Sequence, residues 1–152
     1  MVLRLDEWRR IEEEGRRRAF EKDKLPLSDP SFLERLGMEA EKSGRDLGKA
    51  IGEAALALSA VADVCLADRI PREDCQVPDY AREVMRKLDE VARRELGRRC
   101  TWLLGIKEPY NLSSAINDIT ACFHRLIEVE EAGSSALTRV GRRVFVREYS
   151  GP

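Results

Sequence analysis

A chain of 152 residues that is 43% hydrophobic and 36% charged can bury one sizeable core, and it is too apolar to stay disordered. Its net charge of −1 conceals a segregated pattern: residues 82–107 sum to +4, residues 28–80 to −5 and residues 108–131 to −4. The opening MVLRLDEWRR has no apolar stretch of signal-peptide length, and no uncharged run reaches the roughly 18 residues of a membrane span, so a cytoplasmic location off the membrane is expected.

The charged residues are skewed, with 21 arginines among the 27 basic side chains, asparagine only at 111 and 117, and glutamine only at 76. Abundant arginine and glutamate with few amides fits the ion-pair-rich surface of a thermophile's protein. A GC-rich genome gives much of the same excess.

Five helices are readable in chain order. The first spans about Leu3 to Lys22, with Leu5, Trp8, Ile11, Gly15 and Ala19 on a narrow stripe. LPLSDPS breaks it. Ser28 or Asp29 can then cap a short second helix, Pro30 to Lys42, which presents Phe32, Leu33, Leu36 and Ala40. Ser43 and Gly44 end this helix or bend it into the third.

The third helix, Arg45 to Ala67, has too little polar surface for an ordinary amphipathic element. Leu47, Ile51, Ala54, Leu58, Val61, Ala62 and Cys65 share one stripe, while Leu56, Ala57, Ala60 and Val64 fall on the far side. A helix apolar nearly all round is buried nearly all round. Burial near zero exposure is expected at Ile51, Leu58, Val61 and Cys65. Were Leu56, Ala60 and Val64 exposed in a monomer, that face would be the subunit contact.

IPREDCQVP is a loop, and Asp79 is placed to cap a fourth helix that runs to about Leu96 with Tyr80, Val84, Leu88, Val91 and Ala92 on one face. After Gly97 and an apolar connector, Ser113 is placed to cap a fifth helix that carries Leu112, Ile116, Ile119, Phe123, Leu126 and Ile127 and stops at Gly133. The segment TRVGRRVFVREY then alternates β-branched and aromatic residues, a pattern of a small β-hairpin or an extended tail. The reading is an all-α, five-helix bundle over residues 1–132 with a largely buried central helix, followed by a hairpin or tail over 133–152. Two strands alone are marginal in water, so that piece must dock, pair or move.

The four cysteines have no zinc-ligand spacing. Cys65 and Cys122 fall on or beside apolar stripes and read as core. Cys75 and Cys100 lie in or next to connecting segments, where they are bridged to each other or free and inert. Bridges in a cytosolic protein would fit the hyperthermophile exception.

On the fourth helix, Arg82, Arg86 and Arg93 fall within about 40° of one another at 100° per residue, opposite the apolar face. Arg98 and Arg99 extend the row. Arginine forks match phosphates, and a basic row on a helix is a backbone-binding footprint. The i, i+4 pairs Glu83–Lys87, Glu90–Arg94 and Glu95–Arg99 neutralise neighbours but leave Arg82, Arg86 and Arg93 available. A second basic group, Arg139, Arg142, Arg143 and Arg147 among Val140, Phe145 and Tyr149, has the mixture that suits single-stranded nucleic acid. A solvated helix face explains the α4 arginines more simply, and a solvated or disordered tail explains the C-terminal group as well as nucleic acid does.

Catalytic constellations are weak. His124 stands one turn before Glu128, its expected hydrogen-bond partner, and lacks a facing nucleophile. Asp118, Glu128 and Glu131 could hold magnesium, but no second Glu-x-x-Glu helix stands in register, and no phosphate loop or nucleophile elbow occurs. No resident cofactor is implied. By size, helical content and segregated charge the chain is similar to the small α-helical subunits of RNA-guided effector complexes, an analogy of type carried by no motif residue.

The sequence therefore points first to a non-catalytic helical subunit of a homo-oligomer or larger assembly that contacts an RNA or DNA backbone through basic helix faces. The alternatives are a protein-only adaptor that oligomerises and a small magnesium-dependent hydrolase.

Overall fold

The computed structural model describes residues 2–23, 30–106 and 109–150, with side chains described except at 18–23 and 134–150. It contains helices α1 (Leu5–Asp23), α2 (Pro30–Glu41), α3 (Asp46–Ala67), α4 (Asp79–Leu96) and α5 (Leu112–Ser150), and no strand among the described residues. The all-α bundle expected from periodicity is present.

Proline opens α2 at its first position, where its missing N–H costs nothing. Gly44, at φ +69°, ends the run that joins α2 to α3, donating to the Glu41 carbonyl at 3.1 Å. The chain thus reverses between two separate helices, and α2 returns along α3. Their approach is close. A Cβ on Gly37 would stand 2.9 Å from the Ala55 Cβ, and one on Gly48 would stand 2.3 Å from the Ala40 carbonyl oxygen.

α3 is the central helix. Ile51, Leu58, Val61 and Cys65 are buried as expected, together with Leu47, Ala54, Ala55 and Ala62, and α2, α4 and α5 all pack on it. By length and composition it could cross a membrane, yet half of its most apolar stretch is buried within the bundle. Trp8 of α1 fills the gap between α2 and α5, 5.4 Å from the Phe32 ring and edge-on to Phe123 at 4.6 Å.

Two helix starts differ from expectation. α4 is entered from Pro78, with Asp79 already in its first turn. α5 is capped by Asn111, whose Oδ1 accepts the Ser114 amide at 2.9 Å, and not by Ser113. The buried face of α4 is also rotated: Ala81, Met85, Leu88, Asp89 and Ala92 are buried, while Tyr80 is exposed. The α5 helix does not stop at Gly133; its bounds reach Ser150. Arg45 lies beside Gly133, where a Cβ would stand 3.4 Å from its guanidinium nitrogen, an ordinary contact. The hairpin or tail expected over 133–152 is not formed among residues 133–150, whose backbone continues α5, and residues 151–152 are outside the described residues.

All four cysteines are paired, as Cys65–Cys75 and Cys100–Cys122. A Cys75–Cys100 bridge is excluded by these partners. Each loop cysteine bridges to a helix cysteine that faces the core, because those helix thiols point inward where the loops are drawn over them. The α3–α4 loop lies along the segment before α5, with Val77 donating to the Tyr110 carbonyl at 3.1 Å and Leu112 to the Cys75 carbonyl at 2.7 Å.

Candidate interaction surfaces

The rotation of α4 changes the surroundings of its arginines. With the buried face centred near Met85, Arg82, Arg86 and Arg93 lie roughly 80–120° away on the flank, not opposite it. Arg82 is half-buried, its guanidinium carbon 5.8 Å from the Tyr110 ring centre. Arg86 pairs with Glu83 one turn back. Arg93 and Arg99 converge on Asp89, at 3.3 and 3.1 Å.

Asp89 is buried, and its other oxygen accepts the Thr101 hydroxyl at 3.0 Å. Two partly exposed guanidinium groups thus compensate one buried carboxylate. The expected i, i+4 pairs are replaced: Arg94 reaches Asp46 at 3.9 Å, and Glu95 accepts the Leu47 amide at 3.2 Å in the first turn of α3. Of the α4 row and its extension, Arg98 is exposed and makes no ion pair among the described residues. Arg139, Arg142 and Arg143 lie beyond the described side chains.

Between α4 and α5, residues 102–104 and 110 are held by one side chain. Asp118 of α5 is buried, and its Oδ1 accepts the amides of Trp102 and Leu103 at 2.7 and 2.9 Å. Oδ2 accepts the Leu104 amide at 3.0 Å and the Tyr110 hydroxyl at 2.7 Å. Burial first, then the Asp118 charge and its hydrogen bond, hold that hydroxyl protonated far above the ordinary tyrosine range, against a smaller opposing pull from Arg82.

The Cys100–Cys122 bridge and the Arg99 bond to the Leu104 carbonyl at 3.1 Å pin the same segment. From this frame two large apolar side chains project into solvent, Trp102 at 68% exposure and Ile106 at 76%. Sequence reading treats this stretch only as an apolar connector. The signal that would have found it is an aromatic residue between a cysteine and a glycine, which carries little weight without the fold.

A second apolar exposure lies on α3. Leu56 and Val64 project outward, with Ala60 between them, and Met38 of α2 is also exposed.

The acidic candidates do not converge. Asp118 spends both oxygens on the four donors above, Glu128 pairs with Arg125 at 3.2 Å, and Glu131 accepts the Leu5 amide at 2.9 Å. Among the described residues no three His, Cys, Asp or Glu side chains are grouped to hold a metal. His124 meets Glu12 of α1, not Glu128, because α1 packs across the side of α5 that carries the imidazole. An open groove there is lined by Arg9, Glu12, Glu13, Arg16 and His124, without a hydroxyl or thiol for a base to activate.

Comparison with protein-family models, curated proteins and solved structures gives no match for this chain.

Proposed function

We propose that this chain is a non-catalytic helical adaptor that docks a partner protein through the segment bearing Trp102 and Ile106. The observation that carries the reading is the exposure of both side chains, with the Trp102 backbone fixed by Asp118 and the Cys100–Cys122 bridge and the Ile106 amide bonded to the Leu103 carbonyl at 3.1 Å. Exposed aromatic anchors on preorganised backbone lose little entropy on binding and dominate interface energies. Arg98, exposed and without an ion pair among the described residues, follows the end of α4 just before this segment, which suits a partner with an apolar centre and an acidic rim.

Two bridges are compatible with the expected cytoplasmic location when the organism is of the disulfide-rich hyperthermophilic kind, the same origin the arginine-rich surface suggests.

The test compares the full chain with Trp102→Ala and Ile106→Ser as baits in lysate of the source organism, followed by reconstitution with each purified candidate. A partner that binds the natural chain directly and loses tenfold or more affinity to either variant, a hot-spot effect of about 1.4 kcal/mol or more, supports the adaptor. Equal binding by all three overturns it.

One observation favours the nucleic-acid reading as the second choice: Arg98, without an ion pair among the described residues, stands four residues before the exposed Trp102. A base could stack on the indole while the guanidinium meets phosphate. Titration with single- and double-stranded oligonucleotides at several salt concentrations tests it. Salt-dependent binding that is weakened by both Arg98→Ala and Trp102→Ala would place nucleic acid ahead of a protein partner.

A further inference from the structure

The exposed face of α3 has a charge pattern that complements its own reverse. Lys49, Leu56 and Asp63 are each seven residues apart and all exposed, with Leu56 at 71%. Seven residues make nearly two full turns, so the three form one stripe along the helix: a cation, an apolar centre, an anion. Ala60 and Val64 widen the apolar part on one side toward the C-terminus, and the exposed Glu53 bounds it toward the N-terminus. On the other, Met38 of α2 is 69% exposed.

The pairing of the two helices sets the level of Met38. Glu34 lies 3.4 Å from the Ser59 hydroxyl, and the Glu41 side chain sits where a Cβ on Gly52 would be. Midway between Glu34 and Glu41 along α2 is level with midway between Ser59 and Gly52 along α3, which brings Met38 beside Leu56. Neither Lys49 nor Asp63 makes an ion pair among the described residues.

We infer that two copies of this chain associate through this face with their α3 helices antiparallel about a two-fold axis at Leu56. Positions equidistant from the axis then meet, so Lys49 of each copy stands opposite Asp63 of the other, and Leu56 meets Leu56. A parallel arrangement would set lysine against lysine and aspartate against aspartate. Lys49, near the N-terminal end of its own helix where positive charge is disfavoured, comes to lie by the C-terminal half of the partner's α3. Such a contact is isologous and closes at two copies. It does not depend on what the Trp102 segment binds.

The test is the oligomeric state of the full chain by sedimentation equilibrium, with charge swaps on both sides of the axis. K49D alone or D63K alone places like charges opposite each other at both ends and should weaken dimerisation roughly tenfold or more. The double variant K49D/D63K only reverses the pair and should restore it. Leu56→Asp sets two carboxylates on the axis and should give a monomer whose thermal unfolding matches that of the natural chain at dilution. A natural chain that is monomeric throughout the micromolar range overturns the inference, as does a double variant no better than the singles. Co-sedimentation of a monomer with phosphatidylcholine vesicles, lost in Leu56→Asp, would assign the face to lipid instead.

Discussion

The Tyr110 hydroxyl donates to Asp118 Oδ2 at 2.7 Å, on a carboxylate that also takes the amides of three consecutive residues, Trp102 to Leu104. A buried charge satisfied by four donors is stable where it is and costly to alter. Asp118→Asn keeps the shape but turns an NH2 toward groups that are themselves donors. The substitution should cost about 2–4 kcal/mol in urea denaturation. Amide exchange at residues 102–104 should accelerate beyond what that global loss explains. Unchanged exchange there would mean the segment is held by its bridge alone.

Burial of Tyr110, then the Asp118 charge and this bond, make stability depend on alkaline pH. Tyr110 has a folded pKa raised above its unfolded value, so its contribution is fully present below about pH 10, the ordinary tyrosine range. As pH rises above that range the unfolded tyrosine ionises while the folded one stays protonated. Stability falls by up to about 1.4 kcal/mol per pH unit from this group. Tyr110→Phe should be the less stable chain at pH 8 and lose less on going to pH 11. Parallel losses in the two chains would place the alkaline sensitivity elsewhere.

The helices and the central place of α3 were legible because a 3.6-residue stripe records burial directly. The face of α4 was legible only to within one position. Val84 and Val91 attract the reading, yet they flank the buried Met85 and Ala81, and the polar Asp89 that shares this face looks like a surface residue. That one-residue rotation carried the arginines from the expected open face to a flank, where Arg93 lies beside the buried Asp89 and Arg82 over the Tyr110 ring.

The role of Asp118 is hidden in the sequence for a related reason. A carboxylate next to an apolar stripe has the same sequence appearance whether it collects backbone amides or a cation. What decides is a stretch of loop fourteen to sixteen residues upstream, Trp102 to Leu104, whose return is nowhere encoded in spacing. The cysteine partners were hidden likewise, since core position and bridge formation look alike along a helix.

Non-reducing peptide mapping of the alkylated native chain should find Cys65 linked to Cys75 and Cys100 to Cys122, with no thiol labelled. Closing loops with sequence separations of 10 and 22 stabilises by about 3 kcal/mol each in the chain-entropy account. Replacing either pair by serine should lower stability by about that amount. A Cys75–Cys100 peptide in the map would contradict the fold of both loops.

Two glycines in helices should respond to alanine with opposite signs. Gly15 of α1 has no neighbour within 4 Å of a built Cβ, so Gly15→Ala should stabilise by about 0.5–1 kcal/mol through helix propensity. At Gly48 the same propensity gain is set against a Cβ placed 2.3 Å from a backbone carbonyl, which can move only by separating α2 from α3. Gly48→Ala should therefore destabilise by about 1–2 kcal/mol net, read from paired thermal melts. A stabilised Gly48→Ala would show that the two helices do not approach this closely.

Exposed arginines contribute little to stability as a rule, but Arg93 and Arg99 share the buried carboxylate of Asp89. Either one leaves the other within ion-pair distance, so Arg93→Ala and Arg99→Ala should each cost about 1 kcal/mol or less, in line with their half-exposed guanidinium groups. Removing both leaves Asp89 with only the Thr101 hydroxyl, and the cost should exceed the sum of the singles by about 1–2 kcal/mol. Asp89→Asn in the double background should recover part of that loss, because the amide needs no counter-charge. A strictly additive cycle would mean that the arginines face solvent independently, which would return them to the basic surface available for phosphate.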